Sequence, residues 1–126
     1  MKILILTMAI ALMSCHTNIQ RAEIANGAKQ SMPGMSKADL IACAGSPLRS
    51  STIDDTEYLT YSHADAYSDA SSKLTGILVG SALYFECTAT FAISNGRISK
   101  VTFSGKTGGK FTQGAACYNI VAQCVP

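Results

Sequence analysis

Apolar positions follow three different rules along this chain. The first is a solid block, Ile3 to Leu12 (ILILTMAIAL), directly behind Met1 and Lys2. The second is a short helical stripe, in which Leu40, Cys43 and Ala44 share one face of a segment from Lys37 to Ala44. Ser36 with Asp39 makes a capping-box-like start, Gly45 supplies the stop, and Pro47 blocks continuation. A helix this short draws its stability from packing and not from propensity. The third rule is strand-like alternation, in Glu57 to Ser62 (EYLTYS), Cys87 to Ile93 and Arg97 to Ser104.

The last two strands meet at Ser94-Asn95-Gly96, a hairpin signal. A two-residue loop pairs Ile93 with Ile98, whereas a three-residue loop with Gly96 in the left-handed position pairs Ile93 with Arg97. The second register places Cys87, Ala89, Phe91 and Ile93 with Val101 and Phe103 on one face, and Thr88, Thr90, Lys100 and Thr102 on the other, so it is the expected one. Ile98 is its exception.

The remaining segments are less patterned. His16 to Ser31 reads as a polar tether with a short helix around Gln20 to Ala25, and Leu48 to Thr56 as a polar loop. Leu74 to Phe85 (LTGILVGSALYF) is apolar but too short to span a bilayer. A strand extension into Cys87, a buried loop, and a membrane-dipping or partner-binding segment all fit it. Gly105 to Lys110 lacks the spacing of a phosphate loop and reads as a connector. The expected fold is α+β: a short helix or helix pair on a three-stranded antiparallel meander, with a disulfide-tethered C-terminal segment.

Length and address sharpen this picture. A chain of 126 residues and 13.2 kDa suits one domain, and 48% apolar content excludes a disordered polypeptide. Ten helical residues rise only about 15 Å, so the apolar block is a signal-peptide core and not a span. Leu12-Met13-Ser14-Cys15 then has the form of a lipoprotein signal peptidase site, with Cys15 as the thiol that receives diacylglycerol. An ordinary cut after Ala9-Ile10-Ala11 is the competing reading. With two acyl chains, at about 0.8 kcal/mol per buried methylene, anchoring is stable. His16, where an Asp signals inner-membrane retention, points to the outer membrane with the domain facing the periplasm. The boundaries are a signal peptide over residues 1–14, a lipid-anchored tether over 15–32 and one domain over 33–126.

Four cysteines remain beyond Cys15: Cys43, Cys87, Cys117 and Cys124. An even number in an exported domain reads as two disulfides, and no C-x-x-C pair supports zinc. Cys117, Ile120, Val121 and Cys124 fall on one face of a helix; if the segment is helical, Cys117 and Cys124 stand about 10 Å apart along its axis, beyond the usual reach of a disulfide, which demotes that pairing. Each then pairs with Cys43 or Cys87. Both remaining pairings stay open, and Cys43–Cys124 with Cys87–Cys117 serves as the working assignment.

Charge is unevenly spread. Ser36 to Glu86 carries seven acids and three bases, whereas Cys87 to Pro126 carries Arg97, Lys100, Lys106, Lys110 and no acid. Such an end could suit anionic headgroups or an acidic partner, but solvated hairpin and loop charges are the simpler reading. No basic run or aromatic–basic interleaving points to nucleic acid. His63 with Asp65 lacks a nucleophile motif, and Asp54, Asp55 and Glu57 read as a polar turn and not a cation loop. No catalytic residue, metal or cofactor is expected.

The run Pro33 to Pro47 (PGMSKADLIACAGSP) resembles the helix signature of the SmpA/OmlA (BamE-type) small outer-membrane lipoproteins, with Gly34, Met35, Ser36, Leu40, Gly45 and Pro47 in the matching places. The succeeding strand and the Asn-Gly hairpin look like that family's sheet, with an insertion at about residues 65–86. The resemblance implies a helix-on-sheet fold, shared by β-lactamase-inhibitor proteins. It also implies a non-enzymatic scaffold role in outer-membrane protein assembly or envelope integrity, with the β-barrel assembly complex as partner. The shared fold allows a second role, an inhibitor-type module that binds a periplasmic enzyme.

Overall fold

The computed structural model describes residues 17–67 and 83–126. Two helices, α1 (Thr17–Ser31) and α2 (Lys37–Ala44), precede four strands: β1 (Arg49–Ile53), β2 (Thr56–Tyr67), β3 (Leu83–Ser94) and β4 (Arg97–Ser104). A 3-10 turn (Ala115–Cys117) then runs into α3 (Tyr118–Val121). The strands form one antiparallel sheet in the order β1-β2-β3-β4. The fold is α+β, short helices on an antiparallel sheet, held by disulfides near the C-terminal region.

Alternation along the strands creates the inner face. Leu59, Tyr61, Cys87, Ala89, Phe91, Ile93, Ile98 and Val101 are buried, and Ala25, Ala28, Met32, Leu40, Ala116, Ile120 and Val121 close over them. Phe91 sits at the centre with the Tyr61 ring edge-on at 5.5 Å.

Four expectations need correction. The sheet has four strands, because Arg49–Ile53 is a strand inside the segment read as a loop. All five of its residues are exposed, so it lacks the alternation that betrays a strand. Its hairpin turns at Asp54 and Asp55, both left-handed (φ 48° and 65°). The tether is also corrected: residues 17–31 are helix α1, packed on the domain through Ala22, Ala25 and Ala28. The folded unit therefore starts well ahead of Pro33.

Third, the β3–β4 register is a composite. Asn95 and Gly96 (φ 53° and 75°) make a two-residue turn that pairs Ser94 with Arg97 and Ile93 with Ile98, not Ile93 with Arg97. A bulge at Ser99 then shifts the ladder so that Phe91 faces Val101 and Ala89 faces Phe103. The extra residue puts Ile98 and Val101 on the same buried side, which no unbroken register can do. Fourth, the tail helix is only Tyr118–Val121; Cys117 belongs to the 3-10 turn and Cys124 follows in a turn. The signal segment, Cys15 and His16 lie outside the described residues, as do residues 74–82 of the apolar insertion; Leu83 to Phe85 open β3.

Candidate functional site

The motif residues converge on one junction. Gly34, at φ 96°, donates its N–H to the carbonyl of Ile98 at 2.7 Å, and Ile98 donates back to Met35 at 2.8 Å. The chain from Gly34 to Ser36 is thus zipped to the start of β4, where an Arg97 guanidinium nitrogen also donates to the Gly34 carbonyl at 2.8 Å. Ser36 caps α2 by accepting from the Asp39 N–H at 3.1 Å. Leu40 is fully buried, and Gly45, at φ 84°, ends the helix by donating to the Ile41 carbonyl. Five of the six motif residues thus build the fold's corner, and the sixth, Pro47, lines the cleft beside β2.

The disulfides are Cys43–Cys124 and Cys87–Cys117, each with Cα atoms 5.1 Å apart. The first ties the last turn of α2 to the segment after α3, and the second ties β3 to the 3-10 turn. Cys87 and Cys117 are wholly buried and part of the core, whereas Cys43 and Cys124 are half-buried.

Two surface depressions flank this framework, each of about 540 Å³. One is a cleft between α2, β2 and α3, lined by Pro47, Leu48, Tyr61, Ser62, His63 and Asn119. Tyr61 donates its hydroxyl to the Gly45 carbonyl at its floor, and the Asn119 amide nitrogen stands 2.9 Å from Nε2 of His63. The side chain of Asp65 is outside the described residues. Burial pushes the Tyr61 hydroxyl above its usual pKa.

The other depression is a groove between α1 and the segment joining β4 to the 3-10 turn, lined by Ile19, Glu23, Asn26, Lys110, Phe111 and Gln113. That segment is bonded and not slack. The Asn26 amide donates to the Gln113 carbonyl at 2.8 Å, Gly114 N–H to Thr107 Oγ1 at 2.9 Å, and Gly109 N–H to Thr112 Oγ1 at 2.9 Å. Gly108 passes so close to the Thr112 carbonyl that a Cβ would collide with it. At its tip Phe111 is 81% exposed. Gly105 to Lys110, expected as a connector, is thus held by bonds from its own residues and its neighbours, which no local motif announces.

The acidic trio is split in role. Asp54 and Asp55 form the β1–β2 turn, while Glu57 accepts from Lys37 at 2.8 and 2.9 Å and from Ser50 at 3.1 Å. The Lys37 ammonium holds the Glu57 carboxyl below its ordinary pKa. Among the described residues no group of three His, Cys, Asp or Glu side chains stands close enough to hold a metal ion, and no helix is long and apolar enough to cross a membrane.

No family model matches the chain, and no curated protein and no solved structure matches it.

Proposed function

We propose that this protein is a lipid-anchored binding module of the bacterial outer membrane, facing the periplasm, and that it acts as a scaffold accessory without chemistry of its own. The observation that carries the reading is the cysteine pairing. Cys43 is bonded to Cys124 and Cys87 to Cys117, so Cys15, directly behind Leu12-Met13-Ser14, stands outside the framework. A paired even set suits an oxidising compartment, and the one cysteine left over sits where the acyl acceptor belongs. The resemblance of Pro33 to Pro47 to the SmpA/OmlA lipoproteins favours the β-barrel assembly complex as partner.

The helix-on-sheet fold that the same resemblance shares with β-lactamase-inhibitor proteins allows a second reading, an inhibitor-type module that engages a soluble periplasmic enzyme. A pull-down of the native protein in mild detergent separates the two. Recovery of the barrel-assembly complex, lost in Cys15→Ala, supports the accessory role. Stoichiometric recovery of a soluble enzyme, retained without the lipid, supports inhibition instead. A Cys15→Ala protein that stays anchored sinks the lipoprotein claim.

A further inference from the structure

We propose that the face formed by the first turns of α1 and the tip of the Gly105 to Gly114 segment lies against the anionic bilayer surface, with Phe111 entering the headgroup region and Lys110 meeting lipid phosphate. This deepens the anchoring reading and rests on it. The acyl chains hold the protein to the membrane; this contact sets which way the domain faces.

Three observations carry it. Cys15 is two residues ahead of Thr17, a span of at most about 7 Å, and Ile19 is about 3 Å further along the helix. The interfacial layer beyond the hydrocarbon core is roughly 5–8 Å deep on each side, so an acylated Cys15 brings the first turn of α1 to the membrane surface. Ile19, 46% exposed, and Phe111 line the same groove there. Two large apolar side chains are thus shown to solvent next to the anchor point.

The aromatic tip is imposed by its loop. The Asn26 bond fixes the segment against α1, the Gly114–Thr107 bond closes it on itself, and Phe111 still points away from the core. An aromatic on a bonded loop suits an interface that is apolar on one side and wet on the other.

Charge selects lipid over an apolar protein patch. The Lys110 ammonium lies 5.8 Å from the centre of the Phe111 ring, so the apolar tip carries a cation with it. Of the four bases from Cys87 onward, Lys110 is the one that lines this groove. Glu23 is the single acid in the groove lining, against Lys110, and it sits a helical turn deeper than Ile19.

The chain contains no tryptophan, so Phe111→Trp gives a single-site reporter. The lipidated protein is placed in phosphatidylcholine vesicles with about 30% phosphatidylglycerol, and its indole emission is read with brominated acyl chains as quencher. The expected result is a blue-shifted, quenched indole at Phe111→Trp and a water-exposed one at Ile53→Trp on β1. Lys110→Glu weakens the lipid contact by at least roughly fivefold, since one basic residue near an anionic surface contributes about that factor. An indole at Phe111→Trp that stays in water, or that responds no differently from Ile53→Trp, overturns the proposal. Mass analysis of Cys15 reads the anchor separately. Should Cys15 prove unmodified, the anchor reading falls, and the Phe111→Trp indole in saturating vesicles decides this contact by the same two outcomes.

Discussion

The Tyr61 hydroxyl donates to the Gly45 carbonyl at 2.9 Å, joining the middle of β2 to the residue that ends α2. Its ring meanwhile stands perpendicular to Phe91 in the core. One side chain therefore fixes the helix end and packs the sheet. Tyr61→Phe keeps the ring contact and loses the bond, for an expected cost of about 0.5–1.5 kcal/mol in denaturant unfolding. Phe91→Ala removes the ring's partner and is expected to cost about 3–5 kcal/mol. Burial raises the Tyr61 pKa in the folded state above 10.0, so its contribution is intact below the ordinary phenol range and is lost as pH rises beyond it through the raised folded value. Tyr61→Phe should abolish that part of the alkaline loss.

Glu57 gives the opposite pH signature. Its folded pKa lies below the ordinary 4.5, chiefly through the hydrogen bond from Lys37, so the stabilisation is complete above that range and disappears as pH falls through the lowered value. The pair is partly exposed, 40% for Lys37 and 26% for Glu57, which limits it to about 0.2–1 kcal/mol. Glu57→Gln should destabilise by that amount at neutral pH and by nothing at strongly acid pH. Denaturation midpoints across pH, repeated in high salt, read both arms.

The two disulfides should separate under graded reduction. Cys43–Cys124 closes a separation of 81 residues and is half-buried, whereas Cys87–Cys117 closes 30 and is sealed in the core. Loop-closure entropy alone assigns about 4.5 and 3.6 kcal/mol to them. Access to reductant follows burial and not loop length. Alkylation at increasing dithiothreitol should therefore label Cys43 and Cys124 first, while the Cys87–Cys117 bond persists until global unfolding. Simultaneous labelling of all four would contradict this order.

The hairpin turns offer a test of backbone strain. Asp54 and Asp55 both adopt left-handed dihedrals that Asn95-Gly96 adopts with a better-suited pair. Asp55→Gly should raise stability by about 0.5–1 kcal/mol, and Gly96→Ala should lower it by about 1 kcal/mol. Thermal melts of the two single variants measure the pair.

The contrast between those turns also explains what can be read from residue order alone. Asn95-Gly96 announces a hairpin, and Ser36, Asp39 and Gly45 announce both ends of α2, because each is a local device with a local cause. Asp54-Asp55 carries no such signal, and the fully exposed β1 beside it offers no alternation, so the fourth strand was hidden. The full extent of helix α1, expected only around Gln20 to Ala25, and its packing on the domain were hidden for a different reason. Its buried positions are Ala22, Ala25 and Ala28, small residues that let a helix approach the sheet closely but leave no apolar stripe against its polar neighbours. The composite β3–β4 register depends on where Ile98 must go, a tertiary demand met by the bulge at Ser99. Of the candidate surface, Lys110 and Phe111 show only as a basic residue beside an aromatic one; the bond that holds their loop against α1 comes from Asn26, far away in sequence, while Thr107 closes the loop on itself.

The closure of α1 over the 3-10 turn and α3 has a consequence for the order of synthesis. Residues near Ala25 meet residues near Ala116 only after roughly ninety positions have been made between them. A nascent chain that has emerged as far as Ser104 owns all four strands, yet the lid over Phe91 lacks Cys117, Ile120 and Val121, and neither disulfide has both its cysteines. Vectorial synthesis thus yields an open sheet until the tail arrives, and the domain is expected to close late and in one cooperative step.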